Sequence, residues 1–571
     1  MSENTVTKSG NSFLREAVIL TIANFAVKII GVVFKIPLTD ILGPSIGVFT
    51  AAYSIYAMLF MLSTSGLPVA VSKLVSASNE KGRGAEAKRI TYLATLIFGG
   101  IGLLCTVALL IFAPDIARLT NHADSALAMR VIAPSLFFVC VCSAIRGHFQ
   151  GLRNMRPTAI SQFIEAFFKF TVGLGAVMYA HAMGASIPVQ AACAISGVTV
   201  GSVLGTAFTL FYLKFSKKSL PNDTDKERES DKKLLKLIAV VALPVTFTAA
   251  TLYFSQFLDT LVIVNCLEFA GESKDAADTL FAAYTGLSVP IYDLFPSTLV
   301  FPLGISILPT VSAALAVKRN NRAGFLTRQA LRISAIIAIP CGVFLFVAGK
   351  SCISLIYGAA KWSTPLIMAD GSTLLPLDAA ANCLAILAVA VFFISIVSIS
   401  NSLLNAHGKS HLPFIAVLIG IAVLIISEIL LLRSPVGIYG APLSSLICYL
   451  AVMFIDLWFI RKYCRVKLSA LKMFGRPALC GLISATFTYL AYKGTSLFWS
   501  SFISENITGR LPSLVILVVT GTVMVVTYAA ALLIFKGITE DEVRLLPKGN
   551  WLAGKLLNLG WIKPSAADIE D

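Results

Sequence analysis

The sequence predicts an all-α membrane protein with fourteen transmembrane helices, and three observations predict it. Only 13% of the 571 residues are charged and 57% are hydrophobic, whereas a soluble domain averages about 25% charged residues. Apolar runs of about 20 residues, the length that carries a helix across hydrocarbon, recur along the whole chain. The basic residues then alternate sides. With the N-terminus inside, and residues at span ends counted with the loop they border, inner segments hold 35 of the 46 Lys/Arg and outer loops hold 8. The other three, Lys28, Lys35 and Lys169, fall within spans. This is the positive-inside asymmetry, and it requires an even number of spans with both termini inside. It also accounts for the net charge of +16 through orientation and anionic lipid rather than nucleic acid.

The elements follow in order. Span 13–39 comes after a polar dozen residues and is too long for the apolar region of a cleavable signal peptide. The Gly43-Pro44 turn leads into span 47–72, and the basic loop 73–89 into span 90–113. The arginine-rich turn 146–156 joins spans 127–146 and 158–181, and span 187–213 completes a first group of six. Residues 214–236, KFSKKSLPNDTDKERESDKKLLK, are the most polar stretch and read as a solvated linker. Spans 235–266, 279–307, 329–349, 380–404, 412–432 and 437–460 form a second group of six, and a final pair runs over 478–498 and 512–535. The domain reading is therefore a six-helix lobe over 1–213, a linker over 214–234 and a second lobe with its following loop over 235–476. A helix pair over 477–536 and a tail over 537–571 complete it.

Internal repetition supports two related halves. Ala51-Ala52-Tyr53 is followed by Pro68 and Ser72; Ala282-Ala283-Tyr284 is followed by Pro302 and Ser306. After the fourth span Phe149-Gln150-Gly151 leads to Pro157, and after the tenth Leu404-Asn405-Ala406 leads to Pro413. A six-span period keeps corresponding helices in one orientation, which is a parallel repeat.

Charges inside apolar spans are costly and mark function by default. Lys28 lies near the middle of its span, Lys35 is two turns on along about the same face, and Asn24 extends that face by one turn. These three are the first candidates for binding an anionic substrate. Arg146 and Arg153, at the inner end of the fourth span, are placed to meet a phosphate or to anchor the helix at the interface. Glu165 and Lys169 are spaced i, i+4 in the order that favours an ion pair. Asp293, between Pro290 and Pro296, and Asp259 are the acidic candidates for ion coupling or cavity charge. Glu428 and Asp456 fall near span ends, where solvation is inexpensive, and read as structural. The eleven cysteines are scattered without a C-x-x-C pair, and the five histidines lack metal-ligand spacing. No nucleotide-binding loop or catalytic constellation is present. The reading is a non-enzyme without cofactor or metal.

Gly43, Pro44, Gly47 and Phe49, the G-x-P-x-A-x-S of Gly66, Pro68, Ala70 and Ser72, and the Phe149-Gln150-Gly151 turn resemble the polysaccharide-type flippases. Their superfamily also holds the multidrug and toxin extrusion transporters. Within it the chain is most similar to the branch of stage V sporulation protein B-like proteins and lipid II flippases. The resemblance implies two six-helix lobes around a central cavity, working by alternating access in a bacterial cytoplasmic membrane. It implies that basic residues of the first helix contact a pyrophosphate, Lys28 and the following Gly31 matching that pattern. It also implies that the last two helices help hold a lipid tail. Phe34 stands where the pattern has a second basic residue, with Lys35 one place later.

Residues and resemblance together predict a flippase for an undecaprenyl-pyrophosphate-linked saccharide, the peptidoglycan precursor lipid II foremost. Its partners would be that lipid-linked saccharide, bilayer lipids and cell-envelope synthesis proteins. Teichoic-acid or exopolysaccharide precursors, a cation-coupled drug exporter and a non-transporting envelope scaffold stay open as alternatives.

Overall fold

The structure, a computed structural model, describes residues 23, 25–64, 66–152, 154–215, 229–316, 319–409, 411–503, 509–540, 554–555 and 557–558. It divides into two compact units, Met1–Ala282 and Ala283–Asp571. Unit 1 holds α1 (25–42), α2 (Ile46–Thr64), α3 (Gly66–Glu80), α4 (Gly84–Leu119), α5 (Ala126–Gly151), α6 (Arg156–Ala182), α7 (Ile187–Phe215), α8 (Asp231–Phe269) and α9 (Lys274–Ala282). Unit 2 holds α10 (Val289–Phe295), α11 (Phe301–Ala316), α12 (Asn320–Tyr357), α13 (Pro376–Ala406), α14 (His411–Leu432), α15 (Gly440–Tyr463), α16 (Arg476–Phe502) and α17 (Arg510–Ile534). Between α12 and α13 a short hairpin pairs β1 (Leu366–Ile367) with β2 (Thr373–Leu374), Leu366 facing Leu374.

Nine helices among the described residues are long and apolar enough to cross a bilayer: α4 to α7, α12 to α15 and α17. The chain is a multi-pass membrane protein. Residues 279–307, expected as one continuous span, lie within an unbroken helical run over 274–316 whose hydrogen-bond register shifts at two π turns. α9 ends in a π-helical turn over Ala283–Ser288, α10 follows, and a second π turn over Pro296–Val300 leads to α11. Pro290 and Pro296 each lack a backbone N–H, and beside them the ladder shifts into π turns.

The repeat is visible in packing. In unit 1, α5 lies against α3, α4 and α7, and α6 lies against α7; in unit 2, α13 lies against α11, α12 and α15, and α14 lies against α15. The two centres, α5 and α13, are the helices whose ends carry the repeated Gly/Ala-to-Pro turn. They are also the most enclosed of the nine, with 72% and 67% of their apolar stretches buried. Compactness groups α8 with unit 1, because Leu234, Ile238 and Ala242 join the core formed by Leu67, Ala70, Val71 and Val75 of α3. The repeat groups α8 with the residues that follow it. Packing and repetition thus divide the chain at different places.

The sequence motifs turn out to be contact surfaces. A Cβ added at Gly147 or Gly151 of α5 would lie 2.8 Å from Val71 Cβ or from Ser72 O, so only glycine lets α5 press onto α3. At Gly66 an added Cβ would lie 2.1 Å from the Ala242 carbonyl of α8, and the Gly66 amide donates to Thr246 Oγ1 at 3.2 Å. Gly43 carries φ +53°, a conformation that L side chains rarely adopt, and so turns the chain from α1 into α2. At the α4–α5 turn, Asn121 Nδ2 donates to Glu268 Oε2 at 2.7 Å, and His122 Nδ1 lies 3.5 Å from Asp278 Oδ1. Burial pushes the His122 imidazole down to about 4, so at neutral pH this contact joins a neutral ring to a carboxylate and is not an ion pair.

Candidate functional site

α6 carries Glu165 and Lys169 one turn apart, and the structure does not pair them. Glu165 Oε1 lies 2.9 Å from Nη2 of Arg146 on α5. Arg146 Nε donates to Ser161 Oγ at 2.8 Å. Glycines on α7 explain the choice. A Cβ added at Gly205 would lie 2.8 Å from Glu165 Cγ and 2.9 Å from Oε1, and one at Gly201 would lie 2.6 Å from the Glu165 carbonyl. The slot left by those two hydrogens takes the carboxylate away from its i+4 neighbour. Arg146 is only 7% exposed, so it is committed to this pair rather than presented at a helix end.

Lys169 is left to aromatic rings. Its Nζ lies 4.7 Å from the centre of the Tyr53 ring and 5.6 Å from that of Phe34. Among the described residues no carboxylate lies within ion-pair distance of it. It is the fourteenth of the 27 residues of α6, which puts it about 20 Å from either helix end. A lysine stem reaches about 6 Å, so the amine does not snorkel to an interface. Ring contacts of this kind are worth about 2 kcal/mol when desolvated. A lysine at the centre of a membrane helix costs about 2.5–3.5 kcal/mol on insertion scales and more in simulations. The rings hold the ammonium without balancing its charge.

Those rings belong to a ladder. Phe34 meets Phe49 with centres 6.2 Å apart, Phe49 stacks on Tyr53 at 5.9 Å, Tyr53 meets Tyr56 at 5.8 Å and Tyr56 meets Phe60 at 5.6 Å. The last four recur every three or four residues along α2 and form one stripe.

The remaining predicted residues are distributed as follows. Lys28 and Lys35 are part-buried on α1, each engaged with neighbours. Asn24 and Arg153 lie outside the described residues. Asp259 of α8 is 7% exposed, and the adjacent Thr260 hydroxyl meets Ser54 Oγ of α2 at 2.8 Å. Asp293 is exposed on α10 between the two π turns, in unit 2. The structure thus gathers Arg146, Glu165 and Lys169 in unit 1 with Phe34, Tyr53 and Ser161. A second expectation is overturned besides the Glu165–Lys169 pair. Glu428 and Asp456 are fully buried rather than solvated at helix ends, and neither Asp456 oxygen has a hydrogen-bond partner among the described residues. Asp456 lies seven residues from the end of α15, which sequence position alone takes for an interface.

Sequence reasoning also missed the aromatic stripe and the glycines at 197, 201 and 205. Both carried a signal, aromatic residues every three to four positions and a repeated G-x-x-x-G.

A family model described as "Polysaccharide biosynthesis protein" matches residues 13–315. Stage V sporulation protein B of Bacillus subtilis (strain 168) is 24% identical over 94% of this chain and 98% of its own length. The lipid II flippase MurJ of the same organism is 21% identical over 90% of this chain and 93% of its own. Among solved structures, lipid II flippase MurJ in an inward closed conformation superposes with a TM-score of 0.62 at 16% identity, covering 90% of this chain and 99% of that one. An inward-facing multidrug resistance MATE family transporter of the MOP superfamily also gives 0.62, at 13% identity over 78% of this chain and 98% of its own. The fold is therefore that of MurJ and MATE transporters, and the chain belongs to the polysaccharide biosynthesis protein family.

Proposed function

We propose that this protein is a flippase that carries an undecaprenyl-pyrophosphate-linked saccharide, foremost lipid II, across a bacterial cytoplasmic membrane by alternating access. The reading takes the chain as fourteen spans with both termini cytoplasmic, arranged as two six-helix lobes and a C-terminal helix pair. Its substrate is the lipid-linked saccharide, and its role is transport rather than catalysis. Relatives named for lipid II flipping and for sporulation, aligned over nearly their whole lengths, support it.

The observation that carries the reading is the placement of Lys28 and Lys35 within α1. A pyrophosphate moved through hydrocarbon without partners loses its hydration at a cost of many kcal/mol. Lysines at that depth offset the loss, while the isoprenoid tail stays in lipid. We assign the tail to the outward apolar face of the α16–α17 pair, which presents Leu482, Leu490 and Val525, while Cys480, Tyr528 and Leu532 pack the pair onto α12. Each elementary charge moved through 100 mV involves about 2.3 kcal/mol, so the membrane potential is a sufficient bias for the cycle.

Complementation of a strain depleted of its lipid II flippase tests the assignment at Lys28. Lys28→Ala, at a membrane level equal to wild type, is expected to fail. Growth equal to wild type would remove Lys28 from the substrate path.

A further inference from the structure

We propose that Lys169, seated on Tyr53 and Phe34, is a binding site for the phosphoanion of the transported headgroup. The inference rests on the flippase reading and adds to it a contact on α6, a helix to which the resemblance assigns no substrate contact.

Three observations carry it. First, the carboxylate one turn from Lys169 is taken elsewhere: Glu165 is held by Arg146, which is also bound to Ser161. That pair closes its own charge balance and leaves the cluster of three charged groups with a net charge of +1. Second, the Lys169 ammonium has three N–H donors and lies over ring faces, and no hydrogen-bond acceptor is recorded for it among the described residues. Rings hold a cation in place without using up its donors, which is the arrangement of a preformed anion seat. Third, Lys169 is at mid-helix depth yet only part-buried, so it is accessible to an incoming group. A phosphate or pyrophosphate group, rich in acceptor oxygens and negatively charged, matches both the donors and the charge.

A purely structural role would have Lys169 clamp α6 to α1 and α2, and the variants separate the two roles. Lys169→Gln and Lys169→Met keep most of the stem and remove the charge; Lys169→Arg keeps the charge and the ring contact. Full-length protein is purified in detergent, checked for monodispersity and thermal unfolding, and reconstituted into proteoliposomes with lipid II. Each neutral variant that unfolds at the wild-type temperature is expected to flip lipid II at least about tenfold more slowly, with Lys169→Arg close to wild type. If both neutral variants unfold early, the ligand-induced shift of each, read against its own ligand-free unfolding temperature, decides. Inorganic pyrophosphate and undecaprenyl pyrophosphate are each titrated while thermal unfolding is followed.

Stabilisation of wild type and Lys169→Arg by undecaprenyl pyrophosphate, with a smaller shift in Lys169→Gln and Lys169→Met, supports the seat. Stabilisation by inorganic pyrophosphate as well assigns recognition to the phosphoanion alone; stabilisation by the lipid form only shows that the tail contributes too. Wild-type flipping by folded Lys169→Gln, or equal stabilisation of wild type and the neutral variants by these ligands, overturns the seat and leaves the flippase reading standing. Stabilisation by pyrophosphate in a wild-type protein that moves no lipid II overturns the flippase reading and leaves the seat standing.

Discussion

Arg146 and Glu165 form a pair that sequence position hides from both sides. Arg146 reads as an interface anchor because it lies near a span end, and Glu165 reads as the partner of Lys169 because i, i+4 neighbours pair on exposed helices. The structure pairs them across α5 and α6 at 2.9 Å. Removing Glu165 leaves Arg146 charged and buried, whereas removing Arg146 leaves Glu165 charged but part-exposed. Glu165→Leu alone is therefore expected to destabilise the protein by about 3–5 kcal/mol, and Arg146→Met alone by less. The double variant, which removes both charges, should recover most of that loss. Thermal or denaturant unfolding of the purified protein measures all three, and additive losses in the double variant would show that the pair is not a unit. The lysines themselves were legible, since a cation in an apolar run needs no partner to be noticed. Which carboxylate each charge meets depends on the neighbouring helix, and one helix's spacing does not contain it.

At the scale of elements the decisive residues are glycines. Gly197 and Gly201 of α7 face the backbone of α6, added Cβ atoms lying 2.6 Å from Lys169 O and Glu165 O, and Gly205 faces the Glu165 side chain. A carbonyl on a packed helix does not move aside, so Gly201→Leu must separate α6 from α7 and disturb both Glu165 and Lys169. Overpacking of this kind costs about 1–3 kcal/mol. Gly175 of α6 has nothing within 4 Å of an added Cβ, so Gly175→Ala should be neutral or stabilise by up to about 1 kcal/mol through helix propensity. Unfolding temperatures of the two variants check this contrast, and equal effects would refute the close-contact account. Helix positions were readable from apolar length, because burial in lipid demands it. The π turns around α10 were foreshadowed only by Pro290 and Pro296, since proline shows that a ladder is interrupted and not how the chain restores it.

For the whole molecule, the repeat is the feature that sequence and packing both express. α5 and α13 occupy the same place among their neighbours in the two units, and the short motifs that hinted at the repeat lie at their ends. Those motifs proved to be helix contacts, as at Gly147, Gly151 and Gly66. They therefore report the fold and carry little about the cargo, which is why substrate has to be argued from charge. The central claim is that this fold moves a lipid-linked pyrophosphate saccharide. The most direct measurement is transbilayer movement of purified lipid II in proteoliposomes that contain the wild-type protein and no other. The account predicts lipid II delivery to the opposite leaflet well above that of protein-free liposomes. Movement no faster than in protein-free liposomes, from a protein shown to be folded and inserted, would contradict it.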